Sequence, residues 1–290
     1  MQFSPATLKM LVILCFTIWG GAMIGMKYAF ESFSVFHVVF ARVAFAGVFY
    51  LILFGKWKNL PYQKGDWKYL AAMVAFEPCL FFLFETFSMK FTTASQGGVI
   101  AACFPLCASL AGWIFLKEKL SSRTIIAIFL AVIGVAISSY FAPGDERASN
   151  PLLGNLLMLG AVLSTTGYAI CARIISKRYS FLAISAIQAL GGTLVFFPLL
   201  FFAPVPTQIT MSALAGLLYV AVGVGIIAYF LFNLSISFMP AGIVALYGNL
   251  IPVFTLLFAY ILLGEKLNVL QVSGICIALT GIIISSMSKK

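Results

Sequence analysis

The residues able to do chemistry in this 290-residue chain are a few ionisable side chains inside apolar stretches: Glu77, Glu85 and Arg42, with His37 and Lys27 nearer segment ends. An ionisable group within a bilayer costs about 2.5–3.5 kcal/mol on insertion scales and faces a protein interior rather than lipid. Glu77 falls about ten residues into its segment, near the midplane at a helical rise of about 1.5 Å per residue. No basic residue matches it in depth. A carboxyl so placed is suited to carrying a proton or binding a cationic group; the competing structural reading is a protonated acid hydrogen-bonded to a neighbouring helix. Pro78 follows directly. It removes the hydrogen bond to the Val74 carbonyl and predicts a kink beside the carboxyl.

Glu85 is two helical turns further along, on nearly the same face. By residue count it lies about 7 Å from the end of its segment, and Arg42 lies about 10 Å from the same end of the preceding one. Matched depth and opposite charge predict a buried ion pair, since an unpaired charge there is expensive; direct contact with a substrate is the alternative. His37 reads as an interfacial residue. The six cysteines are scattered through apolar segments without metal-ligand spacing, as small core residues are. With one histidine there is no HExxH and no Ser–His–Asp set. The glycine pairs lack the lysine and the strand–helix setting of a phosphate loop. A membrane enzyme is therefore the least supported class, and ATP-driven transport would need a partner subunit.

These side chains must be positioned by elements that lipid can solvate. The chain is 62% hydrophobic and 9% charged, against roughly 25% charged in soluble domains. A membrane helix needs about 20 mostly apolar residues. Such segments predict an all-α membrane protein with spans over Leu8–Lys27, Val35–Phe54, Trp67–Met89, Ala94–Leu116, Thr124–Phe141, Leu152–Arg173, Phe181–Phe202, Ala213–Ser235, Ala241–Leu263 and Val269–Met287. Barrel strands would be shorter and would alternate in polarity. The first segment is read as a helix rather than a signal peptide, because the duplication described next needs it.

The chain aligns with itself at an offset of 147 residues, pairing the first five segments with the last five. Phe87–Ser139 then matches Leu234–Ser286 at about sixteen positions, a self-similarity signal. Pro105 falls on Pro252, Glu118-Lys119-Leu120 on Glu265-Lys266-Leu267, Gly134 on Gly281 and Gly20 on Gly167. The expected units are residues 1–143 and 150–290. Five crossings per unit put the second upside down relative to the first. Inverted repeats of this kind are a signature of secondary transporters with a midplane site. Both Glu-Lys pairs read as loop features capping the helix that follows. Pro105 and Pro252, like Pro78, mark expected helix kinks.

Charge orients the fold. Of the 18 Lys and Arg, 13 fall in one set of alternate loops (Lys9, Lys56, Lys58, Lys64, Lys68, Lys117, Lys119, Arg123, Arg173, Lys177, Arg178, Lys289, Lys290) and four in the other (Lys27, Lys90, Arg147, Lys266). Basic loops stay cytoplasmic, so both termini are expected inside. The net charge of +10 is used in this way, with no separate nucleic-acid patch.

Together these features resemble the EamA branch of the drug/metabolite transporter superfamily. The resemblance rests on Trp19-Gly20, Arg42, Thr92-Thr93-Ala94-Ser95, Pro105 with Glu118-Lys119-Leu120, and Pro252 with Gly264-Glu265-Lys266-Leu267. It departs where Lys117 stands opposite Gly264. It implies a bacterial inner-membrane carrier of small metabolites, export favoured, with a cavity between the repeats. Trp19, Gln96, Tyr168, Gln188, Tyr229, Asn233, Tyr247 and Asn249 lie on, or beside, the helices that line the cavity in similar transporters. Aromatic cavities hold organic cations through their ring faces, and Glu77 turns the expectation toward amino acids or amines. Expected partners are a small-molecule substrate, membrane lipid and protons, without a cofactor, metal or nucleic acid, in a monomer or homodimer. A channel or non-transporting membrane protein is the runner-up, though the charge rings of a cation filter are missing.

Overall fold

In a computed structural model, the residues described are 4–116, 122–141, 148–238, 247–248 and 250–286. Helices begin where a polar side chain can accept from an otherwise orphaned backbone N–H. Ser4 accepts from Thr7 N at 3.1 Å, Asn150 from Leu153 N at 3.1 Å, Ser180 from Ala183 N at 3.2 Å and Thr210 from Ala213 N at 3.1 Å. Between such caps, among the described residues, run seven helices long and apolar enough to cross a membrane. They are α1 (Ala6–Ala29), α2 (Val35–Ile52), α3 (Asp66–Phe91), α4 (Ala94–Ile114), α6 (Pro151–Ala172), α7 (Phe181–Phe202) and α8 (Met211–Phe232). Three further apolar helices among the described residues are α5 (Ser122–Tyr140), α9 (Leu250–Leu263) and α10 (Val269–Ser286). The sequence predicts these three as spans as well, with residues 241–246 of the predicted Ala241–Leu263 lying outside the described residues; α9 ends at the left-handed turn of Gly264, φ 62°, and α10 begins at Val269.

Several helices are interrupted rather than straight. Gly21 breaks α1, Ala102–Cys103 break α4, and α8 loosens into a π-helical stretch over Tyr219–Ala228 that contains Gly223 and Gly225. Gly248 lies in a turn just before α9. Pro105 and Pro252 thus stand in the first turn of resumed helices, where proline's missing N–H is no loss. The sharpest interruption is in α3, at Pro78. Leu194, Val269, Phe201 and Phe202 are more than 70% exposed. They are positioned to meet lipid tails, which solvate such faces.

α5 and α10 pack backbone to backbone. A Cβ on Gly134 would stand 2.4 Å from both the Gly274 carbonyl oxygen and the Ala278 nitrogen. One on Gly281 would meet the Ala127 carbonyl at 2.7 Å and the Ala131 nitrogen at 3.2 Å. Small residues permit this approach between membrane helices. Gly134→Ala is therefore expected to destabilise the fold by about 1–3 kcal/mol through overpacking, read as a lower melting temperature in detergent. Gly55→Ala, with nothing within 4 Å of the new methyl, is the control that leaves it unchanged.

Residues of α2, α3, α6, α7 and α8 line a cavity of mostly apolar wall with a few polar groups, with α1 behind α8.

Candidate functional site

The cavity is organised by the break in α3. The helix widens into a π-type turn over Ala75–Leu80, and within it Glu77 leaves helical geometry altogether, at φ −146° and ψ 116°. The Glu77–Pro78 peptide is cis. Freed from the helix ladder, the Glu77 carbonyl accepts a hydrogen bond from Gln188 Nε2 on α7 at 2.9 Å. Its carboxyl Oε2 accepts from Thr165 Oγ1 on α6 at 2.5 Å. Oε1 lies 3.5 Å from the Tyr229 hydroxyl of α8. One residue of α3 therefore meets three helices from the other half of the chain. All three partners are neutral. Among the described residues no cationic side chain lies within ion-pair distance of Glu77.

The cavity holds about 120 Å³ and is lined by Glu77, Arg42, Tyr50, Tyr168, Gln188 and Tyr229, with Phe82 and Phe181 among the apolar walls. At about 10–15 Å³ per water centre it has room for several waters or one small solute.

Arg42 reaches the cavity with its charge already matched. Its Nη1 donates to Glu85 Oε2 at 2.6 Å, the two side chains being 6% and 8% exposed. The guanidinium carbon lies 3.8 Å from the centroid of Phe82, a cation–π contact, and Nη1 is 3.7 Å from the Met26 sulfur. The pair is close to neutral as a unit, so the remaining fixed charge available at the cavity is that of Glu77.

Other sequence-predicted residues are placed elsewhere. Trp19 stands behind Tyr229, rings edge to face at 5.3 Å, and buttresses it. Tyr247 packs with Val12, Phe16 and Trp19, further back again. Gln96 is 2% exposed and belongs to a separate polar network. It donates to the Ser138 carbonyl at 2.7 Å and accepts from Asn155 Nδ2 at 2.6 Å, while Asn155 Oδ1 accepts from Thr92 at 2.7 Å. That network ties α3, α4, α5 and α6 together away from the cavity. His37 serves as the N-terminal cap partner of Ser34 on α2, at 2.9 Å. Asn249, Glu118 and the side chains of Asn233 and Pro105 lie outside the described residues.

One expectation needs correction. Glu265 does not cap the helix that follows it. Asn268 and Gln271 do that reciprocally, at 2.8 and 3.0 Å, and Glu265 instead caps α4, 170 residues away, through Ala94 N and Ser95. Ser185, in the cavity wall, and Thr165, bonded to the Glu77 carboxyl, are further site residues not singled out from the sequence. The signal for Thr165 was a polar Thr-Thr pair inside an apolar segment; a lone Ser185 carries none.

A largely apolar cavity holding a few polar groups, walled by helices of membrane-crossing length, defines a multi-pass α-helical membrane protein with a solute-sized site. The model of the EamA-like transporter family matches residues 8–140 and again 152–287, and the chain belongs to that family. It is 28% identical over 218 residues to the uncharacterized transporter YetK of Bacillus subtilis, a match covering 73% of this chain and 65% of YetK. An uncharacterized transporter of Archaeoglobus fulgidus is 23% identical over 96% of both chains. A solved crystal structure superposes with a TM-score of 0.63 at 13% identity, covering 98% of each chain, which is a likeness of fold.

Proposed function

We propose that this protein is a secondary transporter of small amine-bearing metabolites, amino acids or simple organic amines, which bind at Glu77 and cross by alternating access. The observation that carries the reading is the Glu77 carboxyl. It lines the cavity, hydrogen-bonded to neutral groups, and among the described residues no cationic side chain pairs with it. A buried charge without a counter-charge is costly, so the site is stabilised either by a substrate ammonium or by a proton. One carboxyl cannot hold both, and this mutual exclusion couples amine movement in one direction to proton movement in the other. Tyr168 and Tyr229 supply aromatic wall for the rest of the solute.

Ten spans in two inverted five-helix repeats, residues 1–143 and 150–290, are the architecture proposed for this cycle. Two consecutive family matches support it. So does the α5–α10 contact, where Gly134 against 274 and 278 repeats, at the offset of 147, as Gly281 against 127 and 131. The family resemblance implies a bacterial inner-membrane setting, and the loop charges support both termini being cytoplasmic.

The test is flux in vesicles of both orientations holding the purified protein, with labelled amines and amino acids, with and without a pH gradient. At least one amine-bearing solute is expected to move several-fold faster than in empty vesicles and to reverse direction with the gradient. Flux of every solute at the empty-vesicle rate would overturn the proposal. Export shows as the faster direction.

A further inference from the structure

The two ends of α3 are fastened to the other half of the chain by buried carboxylates that the Glu77 site does not use. At the first end stands Asp66, 3% exposed. Its Oδ1 pairs with Arg178 Nη2 at 2.5 Å, and its Oδ2 accepts from the Tyr179 hydroxyl at 3.0 Å and from Gln63 N at 2.9 Å. Arg178 also donates to the Gln63 side chain. Arg178 and Tyr179 belong to the link between α6 and α7. Burial, and then the Asp66 carboxylate beside it, pushes the Tyr179 phenol up from its ordinary value, so it stays protonated and donates.

At the far end α3 passes through the extended Thr92 into α4, and Glu265 holds that junction. It is 6% exposed. Oε1 accepts from Ala94 N at 2.8 Å, and Oε2 accepts from Ser95 N at 3.0 Å and Ser95 Oγ at 2.6 Å. The left-handed Gly264, with Glu265 N donating to the Ala259 carbonyl at 3.1 Å, aims the carboxylate there. α3 covers 26 residues, about 39 Å at the helical rise, so the clasps lie at opposite membrane faces. Glu77 and its broken turn lie between them.

We infer that Asp66 and Glu265 are positioning residues of the transport cycle, two gate clasps of which one opens at a time, with the Glu77–Pro78 break as the joint between them. The inference rests on the transport reading of the Glu77 cavity. Chemistry suits the role. A carboxylate released at a membrane face regains hydrogen bonds from water, so each clasp closes firmly and still opens. The Arg42–Glu85 pair joins α2 to α3 inside the bundle, away from both ends of α3.

The test places a reporter in the cavity wall, Ser185→Cys, and labels vesicles from either face with a membrane-impermeant maleimide, quantifying the peptide that carries position 185 by mass spectrometry. Lys64→Cys in parallel vesicles identifies the face bearing the Asp66 clasp. Asp66→Asn is expected to raise labelling of position 185 at least fivefold from that face alone. Glu265→Gln should raise it as much from the opposite face alone. Tyr179→Phe and Ser95→Ala, which remove one hydrogen bond each and spare the carboxylates, shift labelling in the same respective directions by a smaller factor, and they decide the matter if either acidic variant fails to fold. Equal changes from both faces, or labelling like the parent in all variants, overturn the inference. Wild-type flux in the same vesicles separates the two claims: flux with face-symmetric labelling discards the clasps, and no flux discards the transport reading.

Discussion

Glu77→Gln is expected to slow amine entry into vesicles by about 30- to 1,000-fold, while the protein's melting temperature in detergent stays within a few degrees of the parent. The amide keeps the shape of the side chain and the partnership with Thr165. It removes the charge that a substrate ammonium would pair with. Losing one partner of a desolvated charge pair is worth about 2–4 kcal/mol, and each 1.4 kcal/mol is tenfold. The same variant loses the effect of the pH gradient, since it has no proton to exchange. Initial rates at several external pH values check both statements. Unchanged rate and pH dependence would make Glu77 a structural residue.

The second large effect belongs to the Arg42–Glu85 pair. Glu85→Ala leaves a guanidinium that is 6% exposed without its counter-charge, which is destabilising by about 3–5 kcal/mol for a buried pair broken on one side. Thermal melting in detergent is expected to fall accordingly, and transport to fall with it. The exchanged pair, Arg42→Glu with Glu85→Arg, recovers most of the stability and flux. Recovery is incomplete because the guanidinium then no longer lies over Phe82, where it now sits 3.8 Å from the ring centroid. If the exchanged pair is no better than either single variant, the two residues do not act as a unit.

Much of the frame was legible before any coordinates. Segment length and composition mark helices in lipid, and Pro78 marks the break that turns the Glu77 carbonyl toward Gln188. Counting residues from helix ends gives depth, and depth alone brings Arg42 to Glu85. What residue counting does not give is azimuth. Gln96, Trp19 and Tyr229 are polar or aromatic groups in apolar segments, yet only Tyr229 faces the cavity. Trp19 supports it from behind, and Gln96 turns to Asn155 and Ser138 in a network of its own. Long-range partners are hidden for a related reason. The glutamate of Gly264-Glu265-Lys266 looks like an ordinary loop residue, because nothing local reveals that the left-handed turn aims it at an N-terminus 170 residues away. Asp66 and Arg178, 112 residues apart, escape notice in the same way, each reading alone as a charge at a membrane face.

The central claim, that solutes cross through the Glu77 cavity by alternating access, is tested most directly by counterflow. Vesicles preloaded with an unlabelled amine found to be a substrate are diluted into a trace of the same amine carrying a label. A carrier that must reorient its site takes up label several-fold faster than in empty-lumen vesicles, with a saturable, transient overshoot that Glu77→Gln abolishes. Label entry that ignores the internal amine and rises linearly with concentration would contradict the account and point to a channel.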